Sequence, residues 1–137
     1  MTTTAQEEIS LILDRQQEAW NRSDAAGYSA DCDENVSFTN IVGQVFFGCK
    51  AFEEKHAQIF ATIFKESTLN MSVRRIHFPA SNVAVVDIEV QLSGYQALPP
   101  GVKHPADSVL RTRLLQVFVH SDVGWRVVAY HNVDTKI

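Results

Sequence analysis

Cysteine is scarce in this chain: Cys32 and Cys49 are the only two among 137 residues. Their spacing fits neither a CxxC pair nor a zinc-ligand pattern. Two buried free thiols in a reducing cytoplasm are the expected state, with one disulfide as the open alternative. Long apolar runs are missing too. None approaches the roughly 20 residues that a membrane-spanning helix requires, so no membrane partner is expected. The opening MTTTAQEEIS lacks the basic and then apolar stretches of a secretion signal, which makes the cytoplasm the expected location. Positive charge is in deficit, with 12 Lys and Arg against 16 Asp and Glu. The net charge of -4 offers no footprint for a phosphate backbone, and nucleic acid is not an expected partner.

Several catalytic patterns are absent as well. There is no GxSxG elbow to carry a hydrolase nucleophile. GQVFFGCK at 43–50 begins like a phosphate-cradling loop, but its interior is strand-like and it lacks a GKS or GKT ending. None of the five histidines forms a helical i, i+4 pair. No metal and no cofactor are expected.

What is present is an ordinary globular balance, 45% apolar and 20% charged, in a length that suits one domain over 1–137. A first helix begins after Thr4, which has capping-box spacing with Glu7. Ile9, Ile12, Leu13, Gln16 and Trp20 then recur on one face. Asn21-Arg22-Ser23-Asp24 ends it and offers Ser23 or Asp24 as cap of a short helix over 25–32. Strands at 36–41 and 44–47 join at Val42-Gly43, and Gly48 turns into a third helix. There Phe52, His56, Ile59, Phe60 and Ile63 share a face.

Segments 69–78 and 83–94 form the next hairpin, around Pro79-Ala80-Ser81-Asn82. Ala84, Val86, Ile88, Val90 and Leu92 alternate toward the core, and the register sets Arg74 opposite Asp87. Segment 96–107, with Pro99, Pro100, Gly101 and Pro105, has the composition of a loop and the length of many lids; His104 on it is expected to be exposed. A last hairpin runs over 108–120 and 125–133. A simple register there has His131 facing Leu114 and Ala129 facing Gln116. Both faces of this region are apolar, so both should be covered. The helices cover one; a homodimer through the outer sheet face would cover the other.

Five polar side chains stand on faces that are otherwise apolar: Gln16, Asn40, His56, Gln116 and His131. Converging on one hollow, they would make a pocket for a small apolar molecule, with Trp20 and Phe60 as greasy walls. His56 and His131 alone could exchange protons near neutral pH, which makes them the catalytic candidates. Gln16, Asn40 and Gln116 would then orient the ligand. The alternative is that all five are core polar groups bonded within the protein.

The order helix, Trp20-Asn21-Arg22-Ser23-Asp24 turn, short helix, strand-Gly-strand, helix and four long strands ending in GWRVVAYHN resembles the nuclear transport factor 2-like superfamily. Within it the chain is similar to the SnoaL-like branch, and most to its SgcJ/EcaC-type small proteins. The resemblance implies an α+β fold, a cone-shaped roll of a strongly curved, mainly antiparallel sheet wrapped around three helices of the N-terminal half. It also implies a dimer and a pocket between helices and concave sheet. Fold alone carries no chemistry. Isomerase-like members use a carboxylate and a tyrosine where this chain has Asn40 and Gln16. Neither amide can act as a base. An epoxide-hydrolase arrangement would need Asp87, Arg74 and Arg111 on the core face, where the alternation does not put Asp87 or Arg74. Two functions follow as expectations. One is a cofactor-independent isomerase, cyclase or dehydratase acting on an apolar, polyketide-like metabolite by His-mediated proton transfer. The other is a non-catalytic homodimeric binding or accessory protein for such a ligand.

Overall fold

A computed structural model describes residues 3–136 of the chain. Helix α1 (Ala5–Asn21) starts where the capping box places it: the Thr4 hydroxyl accepts the Glu7 backbone N–H at 3.1 Å. Its buried stripe runs from Ile9 through Gln16 to Trp20. Asp24 caps α2 (Ala25–Tyr28) by accepting the Gly27 N–H at 2.9 Å. This helix is shorter than the expected 25–32, because β1 already begins at Cys32 (Cys32–Thr39). Asp31, Asp33 and Glu34 would otherwise crowd a helix C-terminus, where negative charge is unfavourable.

The remaining elements are β2 (Val45–Phe47), α3 (Cys49–Ala61), β3 (Thr68–Ala80), β4 (Val83–Ser93), β5 (Leu110–Ser121) and β6 (Gly124–Asp134). Gly48 caps α3 at φ +98°, a conformation that strains any residue with a side chain. The six strands form one curved sheet in the order β2-β1-β6-β5-β4-β3. Every neighbouring pair is antiparallel except β1 and β6. The helices cover its concave face. Ala84, Val86, Ile88, Val90 and Leu92 are all buried there, as their alternation requires.

Two irregularities correct the simple registers. In the last hairpin Phe118 pairs with Val127 but Val117 pairs with Ala129, so Val128 is an extra residue in β6. A bulge of this kind bends the strand and reverses side-chain parity beyond it. Trp125 and Val127 are buried on one side of it, Tyr130 on the other; Ala129 and His131 are thereby turned to the outer face. In β3 a second shift sets Arg75, not Arg74, across from Asp87. Arg74 pairs with Glu89 on the exposed face instead. That pair contributes little to stability.

Candidate functional site

Between the helices and the concave sheet lies a hollow of about 70 Å³. Trp20, Tyr28, His56, Ile59 and Phe64 line it from the helical side. Phe38, Asn40 and Ile41 come from β1 and its turn, and Val90 and Leu92 from β4. Leu69 of β3, Leu110, Thr112 and Leu114 of β5, and Tyr130 and Asn132 of β6 complete it. The wall is mostly hydrocarbon and aromatic ring, so each polar atom on it matters.

His56 is 2% exposed, and its Nδ1 lies 2.7 Å from the Phe52 carbonyl oxygen. A carbonyl can only accept, so Nδ1 carries the proton. The ring sits 4.3 Å from that of Phe52, 4.8 Å from Tyr28 and 5.2 Å from Phe38, centroid to centroid. Burial among these rings lowers its pKa to about 4. The imidazole is therefore neutral at pH 7, and Nε2 keeps a lone pair. Tyr28 and Tyr130 share a hydroxyl hydrogen bond of 2.5 Å that ties α2 to β6. Desolvation pushes both phenols up, which keeps them protonated.

Two polar atoms of the lining have no partner among the described residues: Thr112 Oγ1 and Asn132 Oδ1, both buried. Asn132 pairs with Leu114 and Thr112 with Asp134, so the two are diagonal neighbours across the β5–β6 ladder. An unmatched buried polar group costs on the order of 1–3 kcal/mol, and native proteins keep few of them.

Of the residues named from the sequence, Trp20, Asn40 and His56 meet at this hollow. Trp20 is fixed there by an Nε1–H donated to Ser67 Oγ at 2.9 Å. Asn40 stands at the mouth, but its side chain is spent on the turn between β1 and β2: Nδ2 donates to Gln44 Oε1, and Oδ1 accepts the Val42 and Gln44 N–H groups. Gln16 and Gln116 exchange two hydrogen bonds of 2.8 and 3.0 Å and stand apart from the lining. Phe60 packs behind Trp20, ring centroids 4.8 Å apart, and Phe64 takes the place expected of it. His131 is exposed on the outer face beside Thr39 of β1, the consequence of the bulge at Val128. Sequence reasoning missed Tyr28, Tyr130, Thr112 and Asn132. Thr112 was within reach, since strand parity puts it on the same face as Gln116.

A second, outer hollow of about 310 Å³ shares Phe38, Asn40, Ile41, Ile59 and Phe64 with the first. Gln44, Lys55, Gln58 and Thr62 bound it, and Leu98, Pro99 and Pro100 close it from the long loop. That loop thus walls the approach to the inner hollow. His104 is exposed on it. Among the described residues no three His, Cys, Asp or Glu side chains gather as metal ligands, and no helix is long and apolar enough to cross a membrane. Cys32 and Cys49 are free thiols.

No curated protein matches the chain. Solved structures do. A domain of unknown function with a cystatin-like fold from Nostoc punctiforme aligns at a TM-score of 0.81 and 24% identity, over 100% of this chain and 81% of that one. An uncharacterized protein with a cystatin-like fold from Caulobacter vibrioides gives 0.82 and 21%, over 93% and 87%. A ketosteroid isomerase-like protein from Erwinia carotovora atroseptica gives 0.73 and 15%, over 94% and 95%. At these identities the likeness is one of fold alone, the cystatin-like fold printed for the first two. Since the model of the SnoaL-like domain matches residues 9–132, nearly the whole fold described above, the chain belongs to the SnoaL-like domain family.

Proposed function

We infer that this protein binds a small, largely apolar molecule through one hydroxyl group held between Thr112 and Asn132. The observation that carries this reading is the pair of partnerless polar atoms in a greasy hollow. The Thr112 hydroxyl can donate to a ligand oxygen, and the Asn132 carboxamide oxygen can accept from the same hydroxyl. Few polar groups fixing one orientation inside an apolar wall is the usual design of a ligand pocket. A non-catalytic binding or accessory role is the reading the geometry supports best. The SgcJ/EcaC-type group is the finer placement, supported by WNRSD at 20–24 and GWRVVAYHN at 124–132.

The test compares 1-phenylethanol with cumene, which has the same shape without the hydroxyl. Titrated by calorimetry, the wild type should prefer the alcohol. In Thr112→Val that preference should drop by about fivefold, the worth of one hydrogen bond, while cumene affinity stays put. An unchanged preference in Thr112→Val would overturn the reading.

Proton-transfer chemistry is the second reading, a cofactor-independent isomerase, cyclase or dehydratase. One observation favours it: His56 presents a neutral imidazole to the hollow with its Nε2 lone pair uncommitted by the Nδ1 bond. Against it, a base with a pKa of about 4 is weak, and among the described residues no carboxylate lines the hollow.

Homodimerisation belongs to the same proposal. The outer face of β1, β2, β5 and β6 presents Phe47, 73% exposed, with Val45, Leu115 and Ala129. This much exposed apolar surface on one sheet face suits a self-complementary contact. Sedimentation at micromolar concentration should give a dimer, and Phe47→Asp a monomer. A monomeric wild type would remove this part of the proposal.

A further inference from the structure

The geometry points to a carboxylate on the outer end of the ligand, paired with Lys55 at the mouth. This rests on the pocket reading above and extends it to the class of ligand. The inner hollow is too small to hold a ligand by itself. A cavity of about 150 Å³ is what accommodates a benzene molecule, and this one has about 70 Å³. A hydroxyl and the few carbons that bear it fill such a space. The body of the ligand must then continue outward, and the wall shared with the 310 Å³ hollow sets its course past Ile41, Ile59 and Phe64.

Along that course charge appears once. Among the described residues Lys55 is the only charged side chain lining either hollow, since His56 is neutral. Among the described residues its ammonium has no carboxylate partner. It donates to Gln58 Oε1 at 3.3 Å and lies 5.9 Å from the centre of the Phe46 ring, so the chain is laid along the wall of the mouth. The inner end offers nothing comparable: a carboxylate buried beside Thr112 and Asn132 would find no cation, and isolated buried charge is strongly unfavourable. Polarity thus fixes orientation, with the hydroxyl inside, an apolar body between, and the anion outside. The ligand class is an elongated apolar hydroxy acid.

Binding of 4-[4-(1-hydroxyethyl)phenyl]butanoic acid and of its amide, followed by calorimetry, separates the possibilities. At about 50 mM salt the wild type should prefer the acid by roughly three- to fivefold, the range for a part-exposed ion pair, and the ratio should shrink toward one near 1 M salt. Lys55→Met keeps the side-chain stem and should abolish the preference without changing amide affinity. Lys55→Arg should restore it. Equal binding of acid and amide by the wild type overturns the inference and leaves the pocket reading standing. So does a preference that survives Lys55→Met. If neither compound binds, both fall together.

Discussion

Replacing Gln116 by Met alone should lower folding stability by about 2 kcal/mol, and replacing Gln16 by Met in the same chain should restore most of it. Gln116 is 0% exposed and Gln16 3%, and each carboxamide donates to the other's oxygen. The pair joins α1 to the centre of β5 across a span that is otherwise apolar. Removing one member strands a buried donor and acceptor with no water to take them. Removing both with an unbranched apolar side chain of similar length leaves no orphan behind. Urea unfolding of wild type, both single variants and the double variant gives the coupling directly. Purely additive losses would mean that the two amides do not satisfy each other.

The second large effect is on pH dependence. Burial holds His56 at a pKa of about 4 in the folded protein, against an ordinary value near 6.5. Above about pH 6.5 the ring is neutral in both states, and the full stability is present. As pH falls the unfolded chain takes up this proton first, so stability declines between about 6.5 and 4, by roughly 3 kcal/mol in all. His56→Gln cannot titrate and should lack this part of the slope. The measured quantity is the wild-type minus variant difference in unfolding free energy at about pH 7 and about pH 4.5, in which the carboxylates common to both largely cancel. A difference independent of pH would mean that His56 titrates alike in both states. The same variant bears on the catalytic reading: turnover that depends on Nε2 as base should drop by about 10²–10⁴-fold.

Much of the scaffold could be read from the residues, for identifiable reasons. Thr4 and Glu7 announce the start of α1 because a capping box is local chemistry, and the alternation in β4 survives because nothing interrupts its pleat. The site was harder. His131 was expected inward, and Asn132 turned out to hold that place, because one extra residue in β6 reverses parity and the Val127-Val128 dipeptide carries no glycine to announce it. Gln16 and Gln116 were both rightly expected on the core side. Which partner each would take depends on contacts 100 residues apart, beyond any local pattern. The Tyr28–Tyr130 bond, across 102 residues, escaped for the same reason. Asn40 was assigned to the ligand, but its short side chain serves its own turn, a habit of asparagine that the neighbouring Gly43 already advertised.

The most direct measurement is a crystal structure of the protein soaked with 1-phenylethanol. The ligand hydroxyl should lie within about 3 Å of both Thr112 Oγ1 and Asn132 Oδ1, with the ring directed outward past Phe38 and Ile59. An interior closed by side chains, with Thr112 and Asn132 bonded to other groups of the protein and the alcohol absent from it, would mean that no ligand pocket exists there.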